Sequence, residues 1–306
     1  MHGRACCMPS RDAPGAAPVE RSDVQPVPRD WVALPGGAVR IGSDDPHGYP
    51  HDGEGPSRVV ELSPFRIAPT TVTNAEFAAF VRATHYVTQA EQAGDSFVFV
   101  GQLDATQRAA ARTAPRALPW WRVVRDACWQ RPEGPGSSID ARPDHPVVHV
   151  SWHDAMAYCA WAGVRLPSEA QWEVASRGGL EGARYPWGDD FARDGEGRCN
   201  TWRGTFPDTP AALPGTQPVR SLPPNGFGLH HMAGNVWEWC ADSFSPGYHR
   251  DTSPTDPLAT RDTGQRSLRG GSFLCHASYC HRYRVAARHG NTPDSAASHT
   301  GFRVVT

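Results

Sequence analysis

Two cysteines five residues apart, Cys275 and Cys280, lie in the run Arg269-Gly-Gly-Ser-Phe-Leu-Cys-His-Ala-Ser-Tyr-Cys-His-Arg-Tyr-Arg284. Core cysteines usually sit among Val, Leu and Ile, where they act as small hydrophobes. This run is polar and cationic instead, and Arg282 and Arg284 favour thiolate over thiol. Two converging thiolates form a soft-metal site suited to Cu(I), Zn or an iron–sulfur cluster. A local disulfide, a structural metal clip and a reaction centre are all compatible with the residue types alone.

Other groupings carry less chemistry. His145, His149 and His153 recur every four residues. Pro146 breaks that run, and Val147-Val-His-Val150 reads as strand, so packed or surface histidines are the simpler reading. Glu238 stands between Trp237 and Trp239, and a carboxylate buried without a partner is very costly. Either an arginine or a Ca²⁺ ion, which takes oxygen ligands, would answer that need. No lysine occurs among the 30 basic residues, which excludes lysine Schiff-base and P-loop chemistry. Neither a Gly-x-Ser-x-Gly elbow nor a Gly-x-Gly-x-x-Gly turn after a strand is present. A net charge of −2 leaves no electrostatic footprint for nucleic acid.

The elements that must position these residues are short. With 306 residues, 30 Gly and 29 Pro, the chain is rich in loops and can hold one large domain. Residues 1–29 are rich in Pro, Ala, Arg and Asp and read as a disordered tail; residues 30–306 read as one domain. Trp31 to Ile41 holds two apolar runs around Pro35-Gly-Gly, a hairpin signal. Strand character continues at Val59–Leu62 and Phe65–Ile67. Capping boxes at Thr73/Glu76, Ser151/Asp154 and Ser168/Gln171 start three helices. Beyond residue 180 helix signals vanish, and Gly301–Val305 reads as a closing strand. The eight cysteines show no evenly spaced framework. No apolar run is long enough to span a bilayer and no secretory h-region opens the chain, so the expectation is a soluble cytoplasmic protein.

Across nearly all of residues 30–306 the sequence resembles the formylglycine-generating enzymes of the sulfatase-modifying factor family, bacterial type. The resemblance rests on Thr71-Val-Thr-Asn-Ala-Glu-Phe77, Gly94-Asp-Ser-Phe-Val-Phe99, Arg165-Leu-Pro-Ser-Glu-Ala-Gln-Trp172, Gly234-Asn-Val-Trp-Glu-Trp239 and Gly301-Phe-Arg303. The most specific match is the double-cysteine run, since relatives without the oxidase activity lose its cysteines. The resemblance implies a compact α+β domain with little regular secondary structure. It implies an O₂-dependent oxidase that converts the cysteine of a Cys-x-Pro-x-Arg motif in sulfatases to Cα-formylglycine. By that resemblance Cys275 and Cys280 hold Cu(I), the substrate cysteine joins as a third thiolate, and abstraction of a substrate Cβ hydrogen leads through a thioaldehyde to the aldehyde. Ser272 and Tyr279 handle oxygen and protons, Trp237 walls the pocket, and His276 and His299 meet the peptide. Structural Ca²⁺ is implied at Asn200 and Thr201, and at Gly234, Val236 and Glu238, although His231 and Pro210-Ala-Ala212 stand where oxygen ligands are usual. A monomer is expected. The rivals are a non-catalytic peptide-binding relative and an iron-dependent oxygenase of the ergothioneine-synthase type, which would need a further helical domain.

One motif lies outside the domain. Cys7-Met-Pro-Ser-Arg11 matches the substrate motif itself. It is either a chance match or a tethered pseudo-substrate.

Overall fold

Three helices begin where their capping boxes place them. In α1 (Asn74–Thr84) the Thr73 hydroxyl accepts from the Glu76 N–H and the Glu76 carboxylate accepts from the Thr73 N–H. Two shorter helices, α2 (Gln89–Ala93) and α3 (Ala105–Ala110), open on boxes of the same kind, Thr88/Glu91 and Asp104/Gln107. The sequence reading passed over these two. Ser151 caps α4 (Trp152–Ala162) and Ser168 caps α5 (Glu169–Arg177), each ended by a left-handed glycine, Gly163 and Gly178. The computed structural model describes residues 8–11, 30–113, 118–191, 195 and 197–306.

The first strands are β1 (Val32–Leu34), β2 (Gly37–Ile41), β3 (Arg58–Leu62) and β4 (Phe65–Ile67). The expected hairpin between β1 and β2 does not form: β1 pairs antiparallel with β4, and β2 with β3. Gly36 and Gly37 both have positive φ, and a Cβ on Gly36 would stand 2.2 Å from the Leu62 carbonyl oxygen. That glycine turn is therefore seated on the β3–β4 turn, and each apolar run takes its own distant partner. The arrangement buries Leu34, Ile41, Leu62, Phe65 and Ile67 against Trp172 and Ala175 of α5.

Strands β5 (Asp95–Phe99), β6 (Arg112–Thr113) and β7 (Trp121–Arg125) form an antiparallel sheet in the order β5-β7-β6. A two-residue ribbon, β8 (Gly204–Thr205) with β9 (Thr209–Pro210), follows. The central sheet holds β10 (Trp237–Ser243), β11 (Arg266–Arg269), β12 (Arg288–Asn291) and β13 (Thr300–Phe302) in the order β12-β11-β10-β13. Only β13 runs parallel to its neighbour, β10. It is the closing strand expected near Gly301, and Val305 beyond it bridges to Ile67 and Arg165. The α+β class holds.

Helices α1 and α4 pack through Phe77, Phe80, Tyr158 and Trp161, and Phe302 of β13 closes on Phe77 and Tyr158. On the other flank, α5 is tied to the central sheet by buried ion pairs. Glu169 takes Arg269 and Arg288, and Glu173 takes Arg177 and Arg269. Arg269 and Arg288 are the inner ends of β11 and β12, so these pairs fix both stems of the β11–β12 connection. That connection carries Cys275 and Cys280. His149 is a packed histidine, bonded to the Ser96 hydroxyl and the Pro132 carbonyl, and burial lowers its pKa to about 4. The tail expected over residues 1–29 falls mostly outside the described residues. Met8–Arg11 are described, and they lie against the domain, with Met8 buried in its main apolar cluster.

Candidate active site

The connection from β11 to β12 starts with Gly270 and Gly271, both at positive φ. Gly271 is needed for space as well: a Cβ there would meet the Arg282 carbonyl oxygen at 3.0 Å and the Cys275 sulfur at 3.2 Å. Backbone bonds then hold each stretch of the loop in place. Phe273 N–H donates to the Asn235 carbonyl, Cys275 N–H to that of Ser272, and Trp202 N–H to that of Cys275. A turn at His276, whose carbonyl accepts from the N–H groups of Tyr279 and Cys280, folds the second cysteine back onto the first.

As a result the two sulfurs stand 3.4 Å apart, and both residues are fully buried. An S–S bond is about 2 Å long, so they are not joined to each other. The Ser272 N–H donates to the Cys275 sulfur at 3.4 Å, and the Arg282 guanidinium lies 3.9 Å from the Cys280 sulfur. Positive and N–H groups around sulfur favour the thiolate. Arg282 is itself fixed by Asp52 through its Nε and lies over the Tyr49 ring, 3.8 Å from the centroid. Burial raises the pKa of Asp52, and Arg282 opposes that shift. The next arginine, Arg284, is bound bidentately by Glu54.

Around the pair, Trp237 is fully buried, and its indole N–H has no partner among the described residues. His289 lies 6.1 Å from the Trp237 ring; burial, then Arg282, lowers its pKa to about 3, so it is neutral at physiological pH. Ser272 is buried, and its hydroxyl accepts from the Leu274 N–H. Tyr279 is half-buried, stacked on Phe206 and edge-on to Trp120. His276 sits on the half-buried turn, bonded to the Ser278 hydroxyl. His299 is enclosed, edge-on to Trp121, with Phe273 beyond it. Thus Cys275, Cys280 and Ser272 are brought into contact. Tyr279 and His276 flank them on the same loop, and His299 lies in the aromatic wall behind Phe273.

The residues expected to hold calcium are arranged otherwise. Both carboxylate oxygens of Glu238 accept from Arg303, at 2.6 and 2.7 Å, and one also accepts from the Trp172 indole N–H. Of the two partners its burial required, the arginine is present. Asn200 donates to the Gly215 carbonyl and to Asn235, and its own carbonyl accepts from the Asn235 N–H. The cavity of about 490 Å³ lined by Asn200 and Thr201 has Arg203 in its wall and, among the described residues, no carboxylate. Ca²⁺ takes six to eight oxygen ligands, with carboxylates prominent. Neither set fits it as arranged.

Residues 16–306 match the family described as the sulfatase-modifying factor enzyme 1-like domain. The chain belongs to this family. A formylglycine-generating enzyme of Thermomonospora curvata is 55% identical over 291 residues, covering 93% of this chain and 96% of that protein. An inactive Cα-formylglycine-generating enzyme 2 of Bos taurus is 45% identical over 280 residues, covering 90% of this chain and 87% of that protein. In fold the chain is similar to PvdO from Pseudomonas aeruginosa, with a TM-score of 0.64 at 25% identity over 90% of this chain and 94% of that one. At 45–46% identity, relatives named formylglycine-generating enzyme and relatives named inactive both occur, so overall identity alone does not separate them and the site must. Sequence reasoning found the thiols and Arg282 but missed Asp52, Tyr49 and His289. Their contacts with the loop span more than 200 residues for Asp52 and Tyr49, and nothing local marks them.

Proposed function

We propose that the chain is a copper-dependent oxidase that converts the cysteine of a Cys-x-Pro-x-Arg motif in sulfatase polypeptides to Cα-formylglycine with O₂. The observation that carries this reading is the buried pair of sulfurs 3.4 Å apart, with Ser272 N–H on one and Arg282 beside the other. Among the described residues no cluster of three or more His, Cys, Asp or Glu side chains suits a metal. A two-sulfur donor set suits a soft ion of low coordination such as Cu(I) better than Zn²⁺, whose structural sites want four ligands. Bound there, Cu(I) would supply the one-electron chemistry with O₂ that oxidation of an unactivated Cβ–H requires.

The chain's own residues do the rest. Cys275 and Cys280 hold the ion, and Arg282 and the Ser272 N–H favour their charged forms. Trp237 and the aromatic wall exclude water, which strengthens every charge interaction inside. The Tyr279 and Ser272 hydroxyls, on the same loop as the pair, handle protons and oxygen. His276, on the half-buried turn, meets the incoming peptide, with His299 behind the wall. No helix among the described residues is long and apolar enough to cross a membrane. The reading takes the enzyme to act as a monomer in the cytoplasm, where thiols stay reduced.

The test is a Cu(I) titration followed by O₂ consumption with a Cys-x-Pro-x-Arg peptide. One equivalent of Cu(I) should bind and support turnover, and Cys275→Ser or Cys280→Ser should abolish both. Turnover by copper-depleted Cys280→Ser would sink the reading.

A further inference from the structure

Residues 8–11 lie far from the rest of the domain in sequence, yet they are bound like a ligand. The Pro9 carbonyl accepts from the Asn291 amide at 3.1 Å, and the Ser10 hydroxyl donates to the Asn291 side-chain oxygen at 2.7 Å. The Arg11 N–H donates to the Ser295 hydroxyl at 2.8 Å, and its carbonyl accepts from the Thr292 hydroxyl at 2.9 Å. The Arg11 guanidinium reaches Asp95, donating to its carboxylate at 2.5 Å and its carbonyl at 2.8 Å, and lies 5.7 Å from the Phe97 ring centroid. Met8 is buried in the apolar cluster that also contains Cys275, Cys280 and Trp237.

Two features separate this from an ordinary anchored arm. All the main-chain bonds just named are made by side chains, of Asn291 at the end of β12 and of Thr292 and Ser295 after it, rather than by backbone pairing with a strand, which is how a surface recognises an extended peptide. The sequence so held, Met-Pro-Ser-Arg, is also the x-Pro-x-Arg portion of the motif assigned to the substrate. Cys7, the residue before Met8, completes that motif and lies outside the described residues.

We infer that Met8–Arg11 is an intramolecular ligand of the peptide groove formed by Asp95, Phe97, Asn291, Thr292 and Ser295, so that the chain competes with its own substrates. The inference rests on the proposed function for the identity of the competing peptide. The tether permits it. Residues 12–29 separate Arg11 from Asp30, and a chain of that length extends up to about 60 Å. That exceeds the roughly 50 Å diameter expected of a domain this size. Covalent linkage over that length gives a ligand an effective concentration of up to about the millimolar range, so an incoming peptide must displace it.

The experiment is fluorescence anisotropy with a labelled Ser-x-Pro-x-Arg peptide, which cannot be oxidised at sulfur, on the full chain and on Arg11→Ala and Met8→Ala variants. Arg11→Ala changes a partly exposed residue outside the core, so folding is preserved. Both variants should bind the peptide at least about tenfold more tightly than the unsubstituted chain, with the difference independent of protein concentration. Equal affinity for all three proteins overturns self-occupation while leaving the peptide groove intact. A difference that grows with protein concentration also overturns it, because the occupant would then be a second copy. Binding to none of the three overturns the peptide groove itself and, with it, the reading of the substrate.

Discussion

Arg282 joins the thiol pair to the rest of the molecule. Its Nη1 lies 3.9 Å from the Cys280 sulfur while its Nε is held by Asp52. Cysteine must be deprotonated to bind metal, so a cation at this distance raises affinity at fixed pH. On the proposed copper chemistry, Arg282→Gln should weaken Cu(I) binding by about tenfold, read by competition with a chromophoric chelator. Arg282→Lys should retain most of it, since charge rather than fork geometry is what the sulfur senses. Gly271 acts through shape. Alanine at its left-handed φ costs about 1 kcal/mol or more, and the added methyl presses on the Cys275 sulfur. Gly271→Ala should therefore lower turnover more than tenfold while the thermal midpoint falls by only a few degrees; unchanged turnover would show that the sulfur is free to yield.

At the scale of elements, the central sheet depends on pairs that the chain assembles from distant places. Glu238 of β10 and Arg303 just after β13 are 65 residues apart and fully buried. Removing one member of such a pair leaves an uncompensated charge and costs about 3–5 kcal/mol. Glu238→Gln should lose stability of that order in urea denaturation, equally in the presence of Ca²⁺ and of chelator, because Arg303 rather than an ion neutralises the carboxylate. A loss seen only with Ca²⁺ present would return the carboxylate to metal binding. This scale is also where the sequence was least legible. Capping boxes are read within four residues, so α1, α4 and α5 were visible; α2 and α3 carry the same signature but lack an apolar stripe to draw notice. The β1–β2 runs suggested a hairpin because a glycine turn joins them, whereas their partners lie about 20 to 35 residues downstream. Cys275 and Cys280 were legible because they stand five residues apart on one loop. Glu238 offered two partners, and only the fold could choose between them.

Across the molecule, buried carboxylates respond to acid in opposite senses: burial raises the pKa of Asp154 to about 6 and of Asp242 to about 7, whereas Glu173 is depressed. Burial alone would raise the pKa of Glu173, but Arg177 and Arg269 outweigh it and bring it to about 2, against an ordinary 4.5. A depressed carboxylate contributes its full stability above its unfolded pKa and loses it as pH falls through the folded one. The window is thus about pH 4.5 down to 2, and the contribution is on the order of 3 kcal/mol. Urea midpoints measured from pH 6 to 2.5 should fall steeply below about 4.5, and Glu173→Gln should start lower but decline less over that range. Parallel curves for the two proteins would remove Glu173 from the account.

The parallel pairing of β13 with β10 has a consequence for synthesis. A ribosome delivers Cys275 and Cys280 some twenty residues before Thr300–Phe302. Until those later residues join the sheet, β10 is paired on one side only and Glu238 lacks Arg303. Enclosure of the thiols is therefore coupled to the docking of β13: the loop that holds them has its full surroundings only once that strand has joined the sheet. A substitution that delays that docking would prolong the exposure of both thiols to oxidants, metals and thiol exchangers.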